Sequence, residues 1–370
     1  MPKIAVDAMG GDRAPAVVVE GAWHAAKDLG VEIILVGQKE AIEQELSKLK
    51  ADRLAIVSAS QSIEMHESPS SALKKKDSSM KIAFDLMKSG EVQAVVSAGN
   101  SGAMMATGMF VVGRLLQVAR PAILVVVPSM GKGTVVVDAG ANVECKPHHL
   151  AQFGVMGSIY AERVLGIPKP RVGVLSNGAE NGKGTDLTRA ASVLLAESSV
   201  NYVGYVEGRD IFNASVDVVV CDGFTGNVAL KTMEGVASFA GEVLKEAFQK
   251  TLSSRLGYLM TRKALREAYR RLDYAEYGGA PLIGLDGVAI VAHGGSNPLA
   301  IKNAIRAAHD AVEHDMNRHI MEVLSEVAAL GDQKGGLPAK IWRRIKSRID
   351  AFAEKPESAP AKEEREGGER

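Results

Sequence analysis

The ten residues Ser176–Thr185, "SNGAENGKGT", lie between an apolar run, "RVGVL" (171–175), and a run of helical character, "DLTRAASVLLAE" (186–197). A glycine-rich turn that leaves a strand, enters a helix and carries a lysine suggests an anion site. Backbone N–H groups at a helix N-terminus and one ammonium charge suit a phosphate or a developing oxyanion without a metal. The turn is not a nucleotide P-loop, because three residues rather than four separate Gly178 from Gly182, and Gly184 stands where Ser or Thr would hold Mg²⁺. The glycines Gly182 and Gly184 on either side of Lys183 favour the anion site over a solvated loop. No G-x-G-x-x-G follows a strand, so a dinucleotide site is unsupported. No nucleophile elbow, H-E-x-x-H or EF-hand loop occurs, and spacing assembles no Ser/His/Asp triad.

Two other turns have the same character. In "DGFTGNVALKTMEG" (222–235), Thr225 or Asn227 either caps a helix starting near Val228 or, for Asn227, offers a donor to a ligand. In "SAGNSGAMMATG" (97–108), Asn100, Ser101 and Gly102 stand where a helix begins among small residues, which suits close approach of a phosphate. Two basic features stand apart from these. Lys74, Lys75 and Lys76 follow one another in "EMHESPSSALKKKDSSM" (64–80), which reads as a solvated loop or a docking patch for an acidic partner. In "SSRLGYLMTRKALREAYRR" (253–271), Leu256, Leu259 and Met260 alternate with Arg262, Lys263 and further cations. That is a basic amphipathic helix, suited equally to an anionic membrane surface and to a dimer contact.

The elements that must position these turns are short apolar runs separated by helical stretches. Strands are expected at 3–8, 31–37, 54–59, 92–98, 122–128, 134–139, 171–176, 200–207, 216–223 and 287–294. Most are apolar on both faces, as strands covered by helices on both sides are. The alternation predicts a doubly wound, mostly parallel α/β architecture, with a hairpin through "SMGKG" (129–133) making the sheet mixed. Seven strand ends are rich in Gly, Asn, Asp or Ser, and the expectation is that they line one polar cleft along one sheet edge. Residues 235–275 contain no strand and read as a protruding helical hairpin. A basic amphipathic helix is expected at 336–353 and a disordered tail at 354–370.

Composition narrows the class. Lys+Arg and Asp+Glu are each 44, so no basic excess marks a nucleic-acid binder. Cys145 and Cys221 match no metal or redox spacing and read as small buried residues in a reducing cytosol. No apolar run is long enough to span a membrane, and "MPKIAVDAMGG" reads as a first strand rather than a signal peptide. A cytoplasmic enzyme is expected.

The motifs "IAVDAMGGDRAP", "SAGNSGAMMATG", "DAGANVECKPHHLAQFGVMG", "SNGAENGKG", "DGFTGNVALK" and "YGGAPLIGLDGVAIVAHGGSN", in this order, closely resemble the bacterial phosphate acyltransferase family. The resemblance runs from about residue 3 to about 330 and leaves the chain beyond about 335 outside it. It implies a three-layer α/β/α sandwich similar to isocitrate/isopropylmalate dehydrogenases and phosphotransacetylases, and a homodimer. It also implies transfer of a long-chain acyl group from acyl carrier protein to inorganic phosphate, the acyl phosphate passing to a membrane glycerol-3-phosphate acyltransferase in phospholipid synthesis. Some members touch the membrane through a hairpin tip that matches roughly 253–265 here. In that chemistry Lys183 is the expected electrostatic stabiliser and Asn227 a second donor. Asn100, Ser101, Gly102, Asn142, Gly182, Gly184 and Thr225 are candidates for the phosphate or pantetheine cradle. No metal, nucleotide, cofactor or covalent acyl-enzyme is expected. An acyl-CoA-dependent phosphotransacylase, a metal- and NAD-dependent hydroxyacid dehydrogenase and a non-catalytic carrier-protein or membrane scaffold are the alternatives.

Overall fold

Each expected strand forms, and one more joins them. The computed structural model describes residues 1–49, 54–180, 182–272 and 278–333. Eleven strands make one sheet: β1 (Lys3–Asp7), β2 (Glu32–Gly37), β3 (Ala55–Ser58), β4 (Ala94–Ser97), β5 (Ala122–Val127), β6 (Thr134–Val137), β7 (Arg171–Leu175), β8 (Asn201–Val206), β9 (Val218–Val220), β10 (Ala280–Ile283) and β11 (Val288–Val291). Their order is β3-β2-β1-β4-β11-β10-β5-β6-β9-β7-β8. The additional strand, β10, is "APLI", too short and proline-bearing to stand out. It pairs antiparallel with both β11 and β5. The pairing of β5 with β6 is antiparallel too, as the "SMGKG" hairpin requires.

These three antiparallel pairings correct the expectation of a single cleft. β1, β4 and β11 are mutually parallel, as are β6, β9 and β7. Passing from β11 through β10 and β5 to β6 reverses direction three times, so the two sets run oppositely. The "DAMGGD", "SAGNSGA" and "AHGGSN" turns therefore leave one end of the strands. The "DAGANVE", "CDGFTGN", "SNGAENGKG" and "EGRD" turns leave the other.

Helices cover both faces. One apolar face, holding Val6, Leu35, Val96, Leu124, Val137 and Val174, packs against α1 (Ala16–Leu29), α2 (Lys39–Leu49), α6 (Pro147–Arg163), α7 (Asp186–Ala196) and α10 (Pro298–Glu313). The opposite face carries α3 (Pro69–Ala72), α4 (Ser79–Lys88), α5 (Ser101–Val111) and the first turns of α8 (Gly223–Gln249). This is a three-layer α/β/α arrangement. Residues Met1–Leu324 form one compact unit; Ser325 begins a second, of which the described part is the end of α11 (Met316–Gln333). The expected helix at 336–353 and tail at 354–370 lie outside the described residues.

α8 begins at Gly223, five residues before the expected start near Val228, because Asp222 rather than Thr225 or Asn227 caps it. α9 (Leu252–Leu272) follows after a two-residue link, and Phe248 of α8 meets Tyr258 of α9 with ring centroids 5.6 Å apart. On α9, Leu256, Leu259 and Met260 are all exposed, as are Arg262 and Lys263. Among the described residues no helix is long and apolar enough to cross a membrane.

The start of α6 supplies a pH-sensitive element. His149 is buried, and its Nδ1 accepts the Lys146 N–H at 3.1 Å, closing the helix cap. Burial depresses its pKa to about 4, helped by the positive charge of its neighbours His148, Arg120 and Lys146. In the unfolded chain the imidazole takes a proton near its ordinary 6.5. Between these values the unfolded state binds a proton that the folded state refuses, so stability is complete above about 6.5 and falls as pH drops towards about 4. The urea midpoint of His149→Asn should fall less steeply over that window than the wild-type midpoint. Equal slopes would show that His149 does not set the acid sensitivity.

Candidate active site

Three consecutive strands, β6, β9 and β7, deliver three of the polar turns to the same strand end. The first turn is organised by Asp138, which is fully buried. Its Oδ1 accepts N–H groups from Ile123 at 3.0 Å, Gly140 at 3.2 Å and Ala141 at 2.9 Å. Its Oδ2 accepts the Asn142 backbone N–H at 2.7 Å and side-chain amide at 2.8 Å. Burial pushes this carboxyl above its ordinary range, and the surrounding donors oppose that push. Asn142, 2% exposed, also donates to the Pro121 carbonyl at 2.8 Å. Its amide nitrogen is therefore spent on bracing the turn, while its side-chain oxygen is buried without a hydrogen-bond partner among the described residues.

The second turn locks onto the first. Asp222 caps α8 by accepting the Thr225 N–H at 2.9 Å and the Thr225 hydroxyl at 2.8 Å, so that hydroxyl is occupied by the cap. The Gly223 N–H donates to the Asn142 carbonyl at 2.8 Å. Gly226 presses so closely on the first turn that a Cβ there would sit 2.0 Å from the Asp138 carbonyl oxygen. The neighbour is backbone and cannot step aside, so Gly226→Ala should cost about 1–3 kcal/mol or more. A melting temperature equal to that of wild type would refute this account of the junction. One residue on, Asn227 is exposed, and its side chain lies against Gly140 at van der Waals distance from where a Cβ would stand. Among the described residues no hydrogen bond engages its amide.

The third turn holds the lysine. Asn177 Oδ1 accepts the Gly184 N–H at 2.9 Å and the Ser176 hydroxyl at 3.3 Å. The Lys183 N–H donates to the Glu180 carbonyl at 3.2 Å, and Arg189 donates to the Gly184 carbonyl. Gly184 has φ +85°, and a Cβ there would meet the Thr188 hydroxyl, so the turn requires glycine. Thr185 caps α7, whose first residue, Asp186, is paired with Arg189. The backbone is thus pinned while the Lys183 side chain stays exposed, with no ion pair or hydrogen bond among the described residues. With Asp186 at the helix start, the anion-attracting charge of this turn rests on Lys183 more than on the helix amides. Asn181 lies outside the described residues.

The Asn100 turn belongs elsewhere. It leaves β4 at the opposite strand end from Lys183 and Asn227. Asn100 Oδ1 accepts the Ala103 N–H at 2.9 Å, and Nδ2 donates to the Met65 and Glu67 carbonyls at 2.7 and 3.1 Å. Its amide is spent on capping α5 and tying down the 65–67 segment; Ser101 is exposed and Gly102 half-buried beside it. The structure thus places Asn100, Ser101 and Gly102 at the other strand end from Lys183 and Asn227. In the triple-lysine run, Lys75 pairs with Glu67 and donates to the Ser62 carbonyl, while Lys74 and Lys76 are exposed.

Burial pushes the Cys145 thiol up to about 11 and the Cys221 thiol well above its ordinary value, so neither is a thiolate nucleophile at neutral pH. Sequence reasoning passed over Asp138, Asp222 and Gly226. The available signal was an aspartate standing directly at the end of an apolar strand and followed by small residues. Asp7 repeats it on β1, where it is buried and accepts the Ser97 hydroxyl at 2.7 Å.

A family described as fatty acid synthesis protein matches residues 2–319. The chain belongs to this family. The phosphate acyltransferase of Geotalea uraniireducens is 54% identical over 327 residues, covering 88% of this chain and 94% of that protein. The phosphate acyltransferase of Geobacter sulfurreducens is 55% identical over 323 residues, covering 86% and 93%. The chain is accordingly an acyltransferase. Its fold is shared with a phosphotransacetylase from Streptococcus pyogenes, at TM-score 0.59 and 16% identity, covering 84% of this chain and 94% of that one. A 4-hydroxythreonine-4-phosphate dehydrogenase from Klebsiella pneumoniae also shares it, at TM-score 0.51 and 14% identity, covering 84% and 100%.

Proposed function

We propose that this acyltransferase moves a long-chain acyl group from the thioester of acyl carrier protein to inorganic phosphate. A phosphate oxygen attacks the thioester carbonyl carbon, and the carbonyl electrons move onto oxygen. The resulting oxyanion collapses, the carbon–sulfur bond breaks, and acyl phosphate leaves beside a thiolate that takes its proton from solvent. Thiolates are competent leaving groups, so the protein must chiefly hold a dianionic nucleophile and stabilise charge on the carbonyl oxygen. Lys183 supplies the charge, and Gly182 and Gly184 let the chain approach the anion. Asn227, carried by the Asp138–Asp222 junction, supplies an amide donor to the oxyanion.

The observation that carries this reading is the pairing of two unengaged groups on immobilised backbone. Lys183 and Asn227 leave adjacent strands β7 and β9 at the same end, each on a turn whose backbone is held by side-chain hydrogen bonds. The family supports acyl phosphate as a precursor of phospholipid. A homodimer, hand-over to a glycerol-3-phosphate acyltransferase and peripheral membrane contact through the exposed Leu256, Leu259 and Met260 belong to the same proposal. The test is to compare palmitoyl-carrier protein with palmitoyl-CoA under equal phosphate. Faster turnover with the carrier protein supports the donor assignment; turnover with CoA alone would reassign the enzyme to CoA-dependent transfer.

A further inference from the structure

β5 is the seventh of eleven strands, hydrogen-bonded on both sides. Its residues alternate between the two faces: Leu124 and Val126 lie with the core under α1, α6 and α10, whereas Ile123, Val125 and Val127 face α5 and α8. A central strand with helices on both faces should be fully covered there. Val125 on this face and Val126 on the other are not; Val125 stays half-buried, packing on the apolar clusters on either side of it. Half-buried apolar side chains flank it on this face and form a shallow trough. α5 lies to one side and contributes half-buried Met105, with Val112 just past its end, while α8 lies to the other and contributes half-buried Leu230 and Met233.

We infer that this trough between α5 and α8 binds the hydrocarbon of the acyl donor and that Met105 and Val125 limit its length. The inference rests on the acyl-transfer reading above. Three observations favour a hydrocarbon chain as the occupant. Every side chain named is apolar, and two are methionines, whose flexible thioethers adapt to a featureless chain. The trough is continuous with the reaction centre, because Leu230 stands three residues beyond Asn227 on the same helix face, and half-buried Ala141 follows Gly140, which faces Asn227. Its direction also fits. The Ile123 N–H bonds to Asp138, so β5 starts at the reaction end and runs away from it, and α8 runs away likewise. Six residues at about 3.3 Å each give a floor of roughly 20 Å, suited to a long acyl chain.

The test uses Met105→Trp, with Val125→Phe as a second variant in case the first perturbs folding. Turnover is measured with palmitoyl- and octanoyl-loaded carrier protein. Binding of palmitoyl-CoA and octanoyl-CoA is measured by calorimetry in phosphate-free buffer, and oligomeric state by light scattering. The expected result is a fall in kcat/KM and affinity for the palmitoyl donor of about 10-fold or more, with the octanoyl donor within about 3-fold of wild type. Equal losses for both chains, or no change for either, in both variants would overturn the assignment. A changed oligomeric state with an unaltered chain-length profile would also overturn it and give the trough to a second copy of this chain. If wild type makes no acyl phosphate from any donor, the acyl-transfer reading fails by itself. Calorimetry then still decides the trough by whether the substitutions weaken palmitoyl binding selectively.

Discussion

Lys183→Ala should lower acyl-transfer turnover by about 10²–10³-fold while leaving the protein as stable as wild type. The stability half of this expectation follows from the structure: the Lys183 side chain is exposed and unengaged, and the turn is held by Asn177, Arg189 and the backbone of Glu180. The rate half follows from the reaction, in which charge grows on the carbonyl oxygen beside an anionic nucleophile. An interaction that strengthens as the charge develops raises kcat rather than merely tightening binding. Lys183→Arg keeps the charge but spreads it over a planar fork, so it should recover only part of the lost rate. Phosphate-saturation kinetics at a fixed donor concentration check both variants. Turnover of Lys183→Ala within about threefold of wild type would remove Lys183 from the mechanism.

Asp138→Asn should be the most damaging conservative substitution at the junction. Only N–H groups face this carboxyl, three at one oxygen and two at the other. Whichever way an asparagine amide is turned, its NH₂ meets at least two donors that then lose their acceptor. At about 1–3 kcal/mol for each buried unsatisfied donor, the loss is about 2–6 kcal/mol. A fall in melting temperature on the order of 10 °C follows. Turnover should fall as well, because the same turn carries Gly140 against Asn227 and receives the Gly223 N–H that seats α8. Thermal denaturation followed by circular dichroism, beside the transfer assay, reads both effects. A variant as stable and active as wild type would show that the junction does not depend on Asp138.

The fold was legible because its strands are buried on both faces and so read as uninterrupted apolar runs. β10 escaped notice because "APLI" is short, and its identity depends on pairing with β5, far from it in sequence, as well as with β11. The division of the polar turns between two strand ends was illegible for the same reason, since strand direction is a property of pairing and not of any local pattern. Lys183 and Asn227 were visible as polar residues in glycine-rich turns. Asn100 and Asn142 looked identical to them at that level. Only their hydrogen bonds separate a side chain spent on capping or bracing from one left unengaged. Asp138 was the converse case, a charged residue in plain view whose burial could not be read from its neighbours.

The central claim is that phosphate, held near Lys183, is the acyl acceptor. The most direct test is to incubate the protein with palmitoyl-carrier protein, with and without phosphate, counting free carrier thiol and trapping acyl phosphate with hydroxylamine. The account predicts equal amounts of thiol and trapped acyl group, both requiring phosphate and both sharply reduced in Lys183→Ala. Thiol released at the same rate without phosphate, and without a trappable acyl phosphate, would mean that water is the acceptor and would contradict the account.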